Sequence, residues 1–268
     1  MNATIFRISV GFLVGVLALL ALALCASDYY TGEQQRLVAA GDARGASEAS
    51  RLAFRLDPFD TDALEARALT LQQQKKYEEA AAVLREATER DPNNYFPYLL
   101  LGSLQVAMDD PDAAVESYRD VLELNPKATS ASVYMAQTLI GQGRLREAKE
   151  EYLKIEREGR ISYEALYNLG RIEVRTGEAE KGLRDIKSAR RQARSGSEEL
   201  EGPLKRQREG LLRAMDLAVA DAMVVAGRES KAREILSNSP SEQAPSLLRL
   251  LDSDPEAYRE QVVNSDIY

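Results

Sequence analysis

The chain has 268 residues, a formal net charge of −8 at pH 7 and a single cysteine. It contains no histidine, which excludes histidine-based acid–base catalysis and the common zinc-binding patterns. One cysteine excludes an intramolecular disulfide and a cysteine-held metal cluster. Glycine-rich phosphate loops and nucleophile-elbow motifs are also missing, so the sequence predicts no enzyme, no cofactor and no metal.

The first element is an apolar run from Ile8 to Ala26 that carries no charge. Its length, about 19 residues at about 1.5 Å per residue, is roughly the 28 Å needed to cross a bilayer core. Arg7 precedes the run, whereas Asp28 and Glu33 follow it. This asymmetry favours a cytoplasmic amino terminus and a soluble part on the outer, periplasmic side. We therefore predict a transmembrane signal anchor in residues 1–26.

Two other fates of this segment stay open. Leu22–Cys25 resembles the lipobox of bacterial lipoproteins, which makes Cys25 a candidate for lipidation. Leu24 departs from that pattern, because a small residue is expected just before the cysteine. Ordinary signal cleavage would instead fall after Ala23 or Ala26. All three fates place the rest of the chain beside a membrane.

After the apolar run, a pattern with a period of 34 residues recurs without a gap from residue 27 to residue 196. The predicted repeats are 27–60, 61–94, 95–128, 129–162 and 163–196. A small residue occupies the eighth position of the second to fifth repeats: Ala68, Gly102, Ala136 and Gly170. Another occupies the twentieth position of every repeat: Ala46, Ala80, Ala114, Ala148 and Gly182.

The third repeat indicates how each one folds. Apolar residues recur at helical spacing on both sides of a turn at Asp109–Pro111, which predicts two short helices. Gly102 and Ala114 let these helices approach closely, while larger side chains such as Tyr118 fill the space around the crossing. Because neither helix buries its apolar stripe alone, neighbouring repeats must stack into an all-α solenoid with a concave inner face.

Six residues of the third repeat form a known signature: Tyr98, Leu101, Gly102, Ala114, Tyr118 and Pro126. With them the repeat resembles a tetratricopeptide repeat (TPR). The resemblance covers roughly two-thirds of the chain and implies a right-handed α-solenoid of helix-turn-helix repeats that bind protein or peptide partners. Arg67 departs from it by replacing a large apolar residue, and Arg160 and Arg194 replace a closing proline.

The frame slips after residue 196. Residues 197–212 form a polar interruption, and residues 213–268 hold a degenerate sixth repeat and capping helices. We expect the segment from Ala244 to Tyr268 to cover the open end of the solenoid, since an uncapped end exposes apolar surface. Basic residues cluster between Lys181 and Arg213, but no aromatic platform accompanies them, so we expect no nucleic-acid binding.

The TPR resemblance also implies a peptide groove along the first helix of each repeat. Carried onto this chain, the groove has an apolar part and a basic end. Its residues are Phe96, Leu99, Ser103, Val106, Val133, Tyr134, Gln137, Ile140, Tyr167, Asn168, Arg171 and Arg175. The alternative is that Leu99, Val106 and Ile140 merely pack against neighbouring helices. Glu65 and Leu69 replace the clamp that some TPR proteins use for a terminal carboxylate, so we expect no such capture.

The sequence thus predicts a membrane-anchored TPR scaffold that binds protein or peptide partners outside the cytoplasm. Envelope assembly, secretion, and polysaccharide or pilus machinery are the settings that this layout favours. Two alternatives stay open. One is a structural homo-oligomer built through the membrane helix and the solenoid ends, and the other is an adaptor that faces the cytoplasm.

Overall fold

The computed structural model describes residues 3–57, 61–195, 200–265 and 267. All regular secondary structure in these residues is helical, which confirms the all-α class. The helices are α1 (Ala3–Ala39), α2 (Ala43–Leu56), α3 (Thr61–Gln73), α4 (Tyr77–Arg90), α5 (Tyr95–Ala107), α6 (Pro111–Leu124), α7 (Thr129–Gly141), α8 (Leu145–Arg157), α9 (Tyr163–Arg175), α10 (Ala179–Arg194), α11 (Gly202–Val225), α12 (Glu229–Asn238), α13 (Ala244–Ser253) and α14 (Pro255–Asn264).

The chain divides into two compact modules. The N-terminal module is Met1–Pro126 and contains α1 to α6. The C-terminal module is Lys127–Tyr268 and contains α7 to α14. In both modules, successive helices pair as hairpins, and each hairpin packs against the next one in its module.

Helix α1 runs from the apolar segment into the first hairpin without a break. Ser27 Oγ donates a hydrogen bond to the carbonyl oxygen of Ala53 in α2 at 3.0 Å. About two helical turns further on, Gln34 Nε2 donates to Thr70 Oγ1 in α3 at 2.9 Å. Both polar side chains are buried, so the second half of α1 is a packed helix of the N-terminal module.

The first half of α1 has a different character. Its large apolar side chains, Phe12 and Leu19 among them, are exposed. Among the described residues, the one candidate membrane span is Val10–Ala39 of α1, which is long and apolar enough to cross a bilayer. A signal sequence near an amino terminus has the same character.

Close helix crossings in both modules fall at the small residues of the repeat. In the N-terminal module, a Cβ atom on Gly102 would lie 2.6 Å from Tyr118 Cε1, so glycine lets α5 pack directly on that ring. In the C-terminal module, a Cβ on Gly170 would lie 2.8 Å from the carbonyl oxygen of Gly182 in α10. The alanines that occupy equivalent positions are almost fully buried: Ala46, Ala68, Ala80, Ala114, Ala136 and Ala148.

The turn inside each hairpin has a left-handed residue with the same 34-residue period. Its φ angle is 76° at Gly41, 59° at Lys75, 61° at Asp109, 72° at Gly143 and 91° at Gly177. The amide of the following residue donates to the carbonyl oxygen five residues earlier at 2.8–2.9 Å, which closes a Schellman motif. The turn between α11 and α12 has the same geometry, with a φ of 71° at Gly227.

Helix α11 begins at Gly202, within the segment predicted as a polar interruption, and continues to Val225. Residues 196–199 lie outside the described part of the chain. The early turns of α11 are mostly exposed, and Arg208 from this part donates to the carbonyl oxygen of Ala193 in α10 at 2.8 Å. From Met215 onward α11 becomes a buried core helix of the C-terminal module.

Candidate partner-binding surfaces

Helix α5 presents an apolar stripe to solvent. Asn94 caps the helix by accepting a hydrogen bond from the amide of Phe96 at 3.0 Å. The buried side of α5 contains Leu101, Gly102 and Leu104 and faces the hairpin core. The other side carries the predicted groove residues, of which Phe96 and Val106 remain 40% and 46% exposed, Ser103 is exposed and Leu99 is half-buried. Apolar side chains at these positions are available to a partner.

Helix α7, in the C-terminal module, presents a smaller surface. Tyr134 and Gln137 are exposed, and Val133 is half-buried. Ile140 is only 5% exposed. The expectation that Ile140 lines an open groove is therefore corrected, because its side chain packs in the protein interior.

The predicted groove residues of α9 are mostly covered. Tyr167 is 8% exposed, and the guanidinium of Arg171 lies 5.2 Å from the centre of its ring. Asn168 Nδ2 lies 3.4 Å from Tyr152 Oη and donates to it. Arg175 Nε donates to the carbonyl oxygen of Ser265 at 3.1 Å. The predicted basic end of the groove is thus in contact with the chain itself rather than open to solvent.

The segment that covers this region is α14, which packs on α11, α13 and α9. Tyr258 is fully buried, and its hydroxyl donates to Asp221 Oδ1 in α11 at 2.8 Å. Arg259 Nε donates to the carbonyl oxygen of Val224 in α11 at 3.4 Å. We call the surface that these contacts and the Arg175–Ser265 contact define, Arg175 of α9 with Asp221 and Val224 of α11, the α9–α11 face.

Burial dominates the electrostatics of this face. It raises the pKa of Asp221 above its ordinary value, although the hydrogen bond from Tyr258 and the charges of Arg175 and Arg171 act in the opposite direction. Burial also raises the pKa of Tyr258, and the neighbouring Asp221 carboxylate raises it further. The hydroxyl of Tyr258 therefore stays protonated and acts as the donor to Asp221.

Sequence models of the tetratricopeptide repeat match residues 61–94, 105–160 and 135–197. These matches cover α3, α4, the end of α5 and α6 to α10, and they include the turns at Lys75, Asp109, Gly143 and Gly177. The chain belongs to the tetratricopeptide repeat family. A relative in Rattus norvegicus, DnaJ homolog subfamily C member 3, is 31% identical over 77 residues, which is 29% of this chain. The matched part is only 15% of that protein's length.

Solved structures share the TPR fold of this protein. Pseudomonas aeruginosa pilF superimposes with a TM-score of 0.62 at 16% identity, over 88% of this chain and 96% of that one. YrrB, described as a TPR protein with an unusual peptide-binding site, gives a TM-score of 0.50 at 22% identity, over 60% of this chain and 82% of that one. At these identities the likeness concerns the fold alone.

A buried charge cluster lies inside the TPR hairpin of α9 and α10. The side chain of Glu173 is fully buried, with Lys181 Nζ 2.5 Å from its Oε1 atom. Burial raises the pKa of Glu173 to about 7; the ion pair with Lys181 lowers it, and the Asp185 carboxyl raises it. The sequence does not predict this cluster, because a glutamate among exposed charges gives no signal of burial.

Two other features of the TPR chain bear on its chemistry. Cys25, the candidate for lipidation, is exposed on α1 as a free thiol. Among the described residues, no group of three or more histidine, cysteine, aspartate or glutamate side chains is arranged to hold a metal ion.

Proposed function

We propose that this TPR protein is a membrane-anchored scaffold that captures protein or peptide partners on the α5 stripe. By the α5 stripe we mean Phe96, Leu99, Ser103 and Val106. The observation that carries the proposal is the exposure of Phe96 and Val106 on the side of α5 that faces away from the α5–α6 crossing. We propose a binding role rather than a catalytic one.

The energetics of the α5 stripe favour an apolar partner segment. Complete burial of a Val or Phe side chain contributes about 1.5–3 kcal/mol, and both side chains retain close to half of their exposure. Covering them would therefore contribute on the order of 1 kcal/mol each. Exposed Ser103 between them offers a hydroxyl to the partner's backbone. YrrB, a TPR protein described as having a peptide-binding site, supports this class of partner by analogy.

The anchor in this proposal is the first half of α1. Its exposed apolar side chains suit a lipid environment, whereas water would penalise them. Tyr29, three residues beyond the end of the apolar run, is 62% exposed and makes an edge-to-face contact with Tyr30. Tyrosine is enriched at membrane–water interfaces, so this pair suits the boundary of a bilayer. Retention as an anchor, rather than cleavage or acylation at Cys25, is part of the proposal.

Because α1 is continuous, it holds the N-terminal module next to the membrane. Because Ser27 and Gln34 fix the helix to α2 and α3, the N-terminal module would follow the membrane helix without a flexible linker. We propose that the repeats face the periplasmic side, as the charges around the apolar run favour, and that the partner belongs to envelope assembly, secretion, or polysaccharide or pilus machinery.

A capture experiment with the intact chain tests the α5 stripe. The double variant Phe96→Ser with Val106→Ser should lose partners that the unaltered chain captures from solubilised membranes. Leu124→Ser is a matched control, because Leu124 is 38% exposed on the second helix of the same hairpin. Circular dichroism should be the same for all three chains. Capture of the same partners by the double variant would contradict the proposal.

A further inference from the structure

The last helix of the chain lies on the surface that the repeat pattern assigns to partners in the fifth repeat. Arg175, predicted at the basic end of the groove, donates to both the carbonyl oxygen and the hydroxyl of Ser265 at 3.1 Å. These residues are separated by 90 positions in the sequence. The contact therefore arises because the chain folds back, not because the two segments are neighbours along it.

We propose that α14 is an intramolecular ligand of the α9–α11 face, and that a partner helix with the same contact pattern occupies this face when α14 leaves. The inference deepens the proposed function, on which it rests, because it adds regulation to a first-helix surface of the scaffold. The partner class is an amphipathic helix. It would place a hydroxyl donor at Asp221 and oxygen acceptors at Arg175.

The side chains of α14 are arranged like those of a helix bound in a groove. Tyr258 and Val262, four residues apart on one side, are buried, and Ile267 just beyond the helix is buried as well. Polar residues that include Glu256 and Glu260 occupy the other side and are exposed. Apolar anchors at i and i+4 with a polar outer side are the pattern by which amphipathic helices dock into grooves.

The connection to α13 allows α14 to move as a unit. Asp254 alone separates the two helices, and its side chain caps α14 by accepting a hydrogen bond from the amide of Ala257 at 3.0 Å. The cap belongs to α14 itself, so it would persist after undocking. A rotation about this one residue would separate α14 from α11 without breaking either helix.

The partly buried carboxylate of Asp221 makes the docked state less favourable than its apolar contacts suggest. Asp221 loses hydration under α14 and receives a hydrogen bond from Tyr258 in return. Departure of α14 would expose the carboxylate to water again, which offsets part of the lost contact energy. A partner helix with a stronger donor at this position would compete with α14.

The first test uses the full chain in nanodiscs and a fluorescent peptide with the sequence of residues 255–268. The chain variant Val262→Asp should weaken docking of its own α14. Val263→Asp is the matched control, since this adjacent valine is exposed. We expect the peptide to bind the Val262→Asp chain at least tenfold more tightly than the unaltered and Val263→Asp chains. Adding Arg175→Ala to Val262→Asp should weaken peptide binding at least threefold.

Equal binding of the peptide to all three chains, or no binding to a Val262→Asp chain, would overturn the proposal. A Val262→Asp chain that no longer unfolds cooperatively would also overturn it, because α14 would then be an integral part of the core. Empty nanodiscs control for binding of the peptide to lipid. No partner protein is involved, and the stripe on α5 is unaltered, so this result is independent of the capture experiment.

Hydrogen exchange on the unaltered chain is a second test of the proposal. If α14 is an intramolecular ligand, it undocks more often than α11 unfolds. The amides of α14 should therefore exchange at least tenfold faster than those of the buried part of α11. Exchange of both helices at one common rate would mean that α14 leaves only when the C-terminal module unfolds. That outcome would contradict a role for α14 as a displaceable ligand.

Discussion

Gly170 and Gly182 face each other where α9 crosses α10, and neither position has room for a side chain. A Cβ on Gly170 would lie 2.8 Å from the carbonyl oxygen of Gly182 and 2.8 Å from Ile186 Cγ1. Since the first of these atoms is backbone, the helices themselves must move apart to accommodate it. Gly170→Ala should therefore lower the free energy of unfolding by about 1–3 kcal/mol, measured by chemical denaturation.

Gly141→Ala is the matched control for this crossing. Gly141 lies at the end of α7 in the same module, and nothing lies within 4 Å of an added Cβ there. Alanine at this position should leave the free energy of unfolding unchanged or raise it by up to about 1 kcal/mol. If Gly170→Ala proved as well tolerated as Gly141→Ala, the crossing would not be as close as described.

Lys75 should be an easy position to stabilise. Its φ of 59° places a non-glycine residue in the left-handed region, where a Cβ costs roughly 1–2 kcal/mol. Lys75→Gly should raise the free energy of unfolding by about 1 kcal/mol. Lys75→Ala removes the charge but keeps the Cβ, so it should give no comparable gain. Equal stability of the glycine and alanine variants would show that backbone strain is not the cause.

Glu173 should make stability depend on pH. Its pKa is about 7 in the folded protein, above the ordinary 4.5, so the folded state binds more protons between these values. The stability that this group contributes is therefore fully present below about pH 4.5 and is lost as the pH rises through 7. We expect this one group to remove about 2 kcal/mol of unfolding free energy over that range, measured by denaturation at several pH values.

The variant Glu173→Gln separates this effect from the titration of other groups. It should flatten the pH dependence between about 5 and 7, because glutamine does not titrate and still fills the buried space. Glu164→Gln, on the exposed side of the same helix, should leave the dependence as it is. A Glu173→Gln chain with an unaltered pH profile would assign the dependence to other residues.

The anchor predicts the behaviour of the chain in membranes. An uncleaved helix from Ile8 to Ala26 should sediment with membranes in high salt and in carbonate. Protease added from the periplasmic side should digest the repeats. In an anchored chain, Cys25→Ser should change the mass only by the replacement of sulfur with oxygen and should leave the membrane association unchanged. A mass increase that corresponds to acylation, abolished by Cys25→Ser, would instead identify a lipoprotein.

Sequence periodicity predicts the hairpins because small residues at fixed positions leave few ways to pack two helices. Gly102, Ala114 and Gly182 lie at the points where the paired helices cross. The left-handed turns have the same period but escape notice, since Lys75 and Asp109 give no composition signal of positive φ. The Schellman hydrogen bonds of the turn, rather than the preference of these two residues, require the left-handed conformation there.

The binding surfaces are less predictable, because exposure depends on what the rest of the chain covers. Phe96 and Val106 are exposed as the family pattern predicts, whereas Ile140 and Tyr167 are buried. Coverage of Arg175 requires a contact with Ser265 across 90 residues, and no local pattern encodes such a contact. Sequence predicts capping helices at this end of the chain but not that one lies on a first-helix face.

Site-specific crosslinking in intact membranes tests the scaffold role most directly. A photo-reactive amino acid replaces Phe96, Ser103 or Val106 on α5, or exposed Glu116 on α6 as the comparison. If partners bind the α5 stripe, all three α5 positions should give the same adduct and position 116 should not. Adducts from position 116 alone, from all four positions equally, or only at twice the mass of the chain would contradict capture of a partner by this stripe.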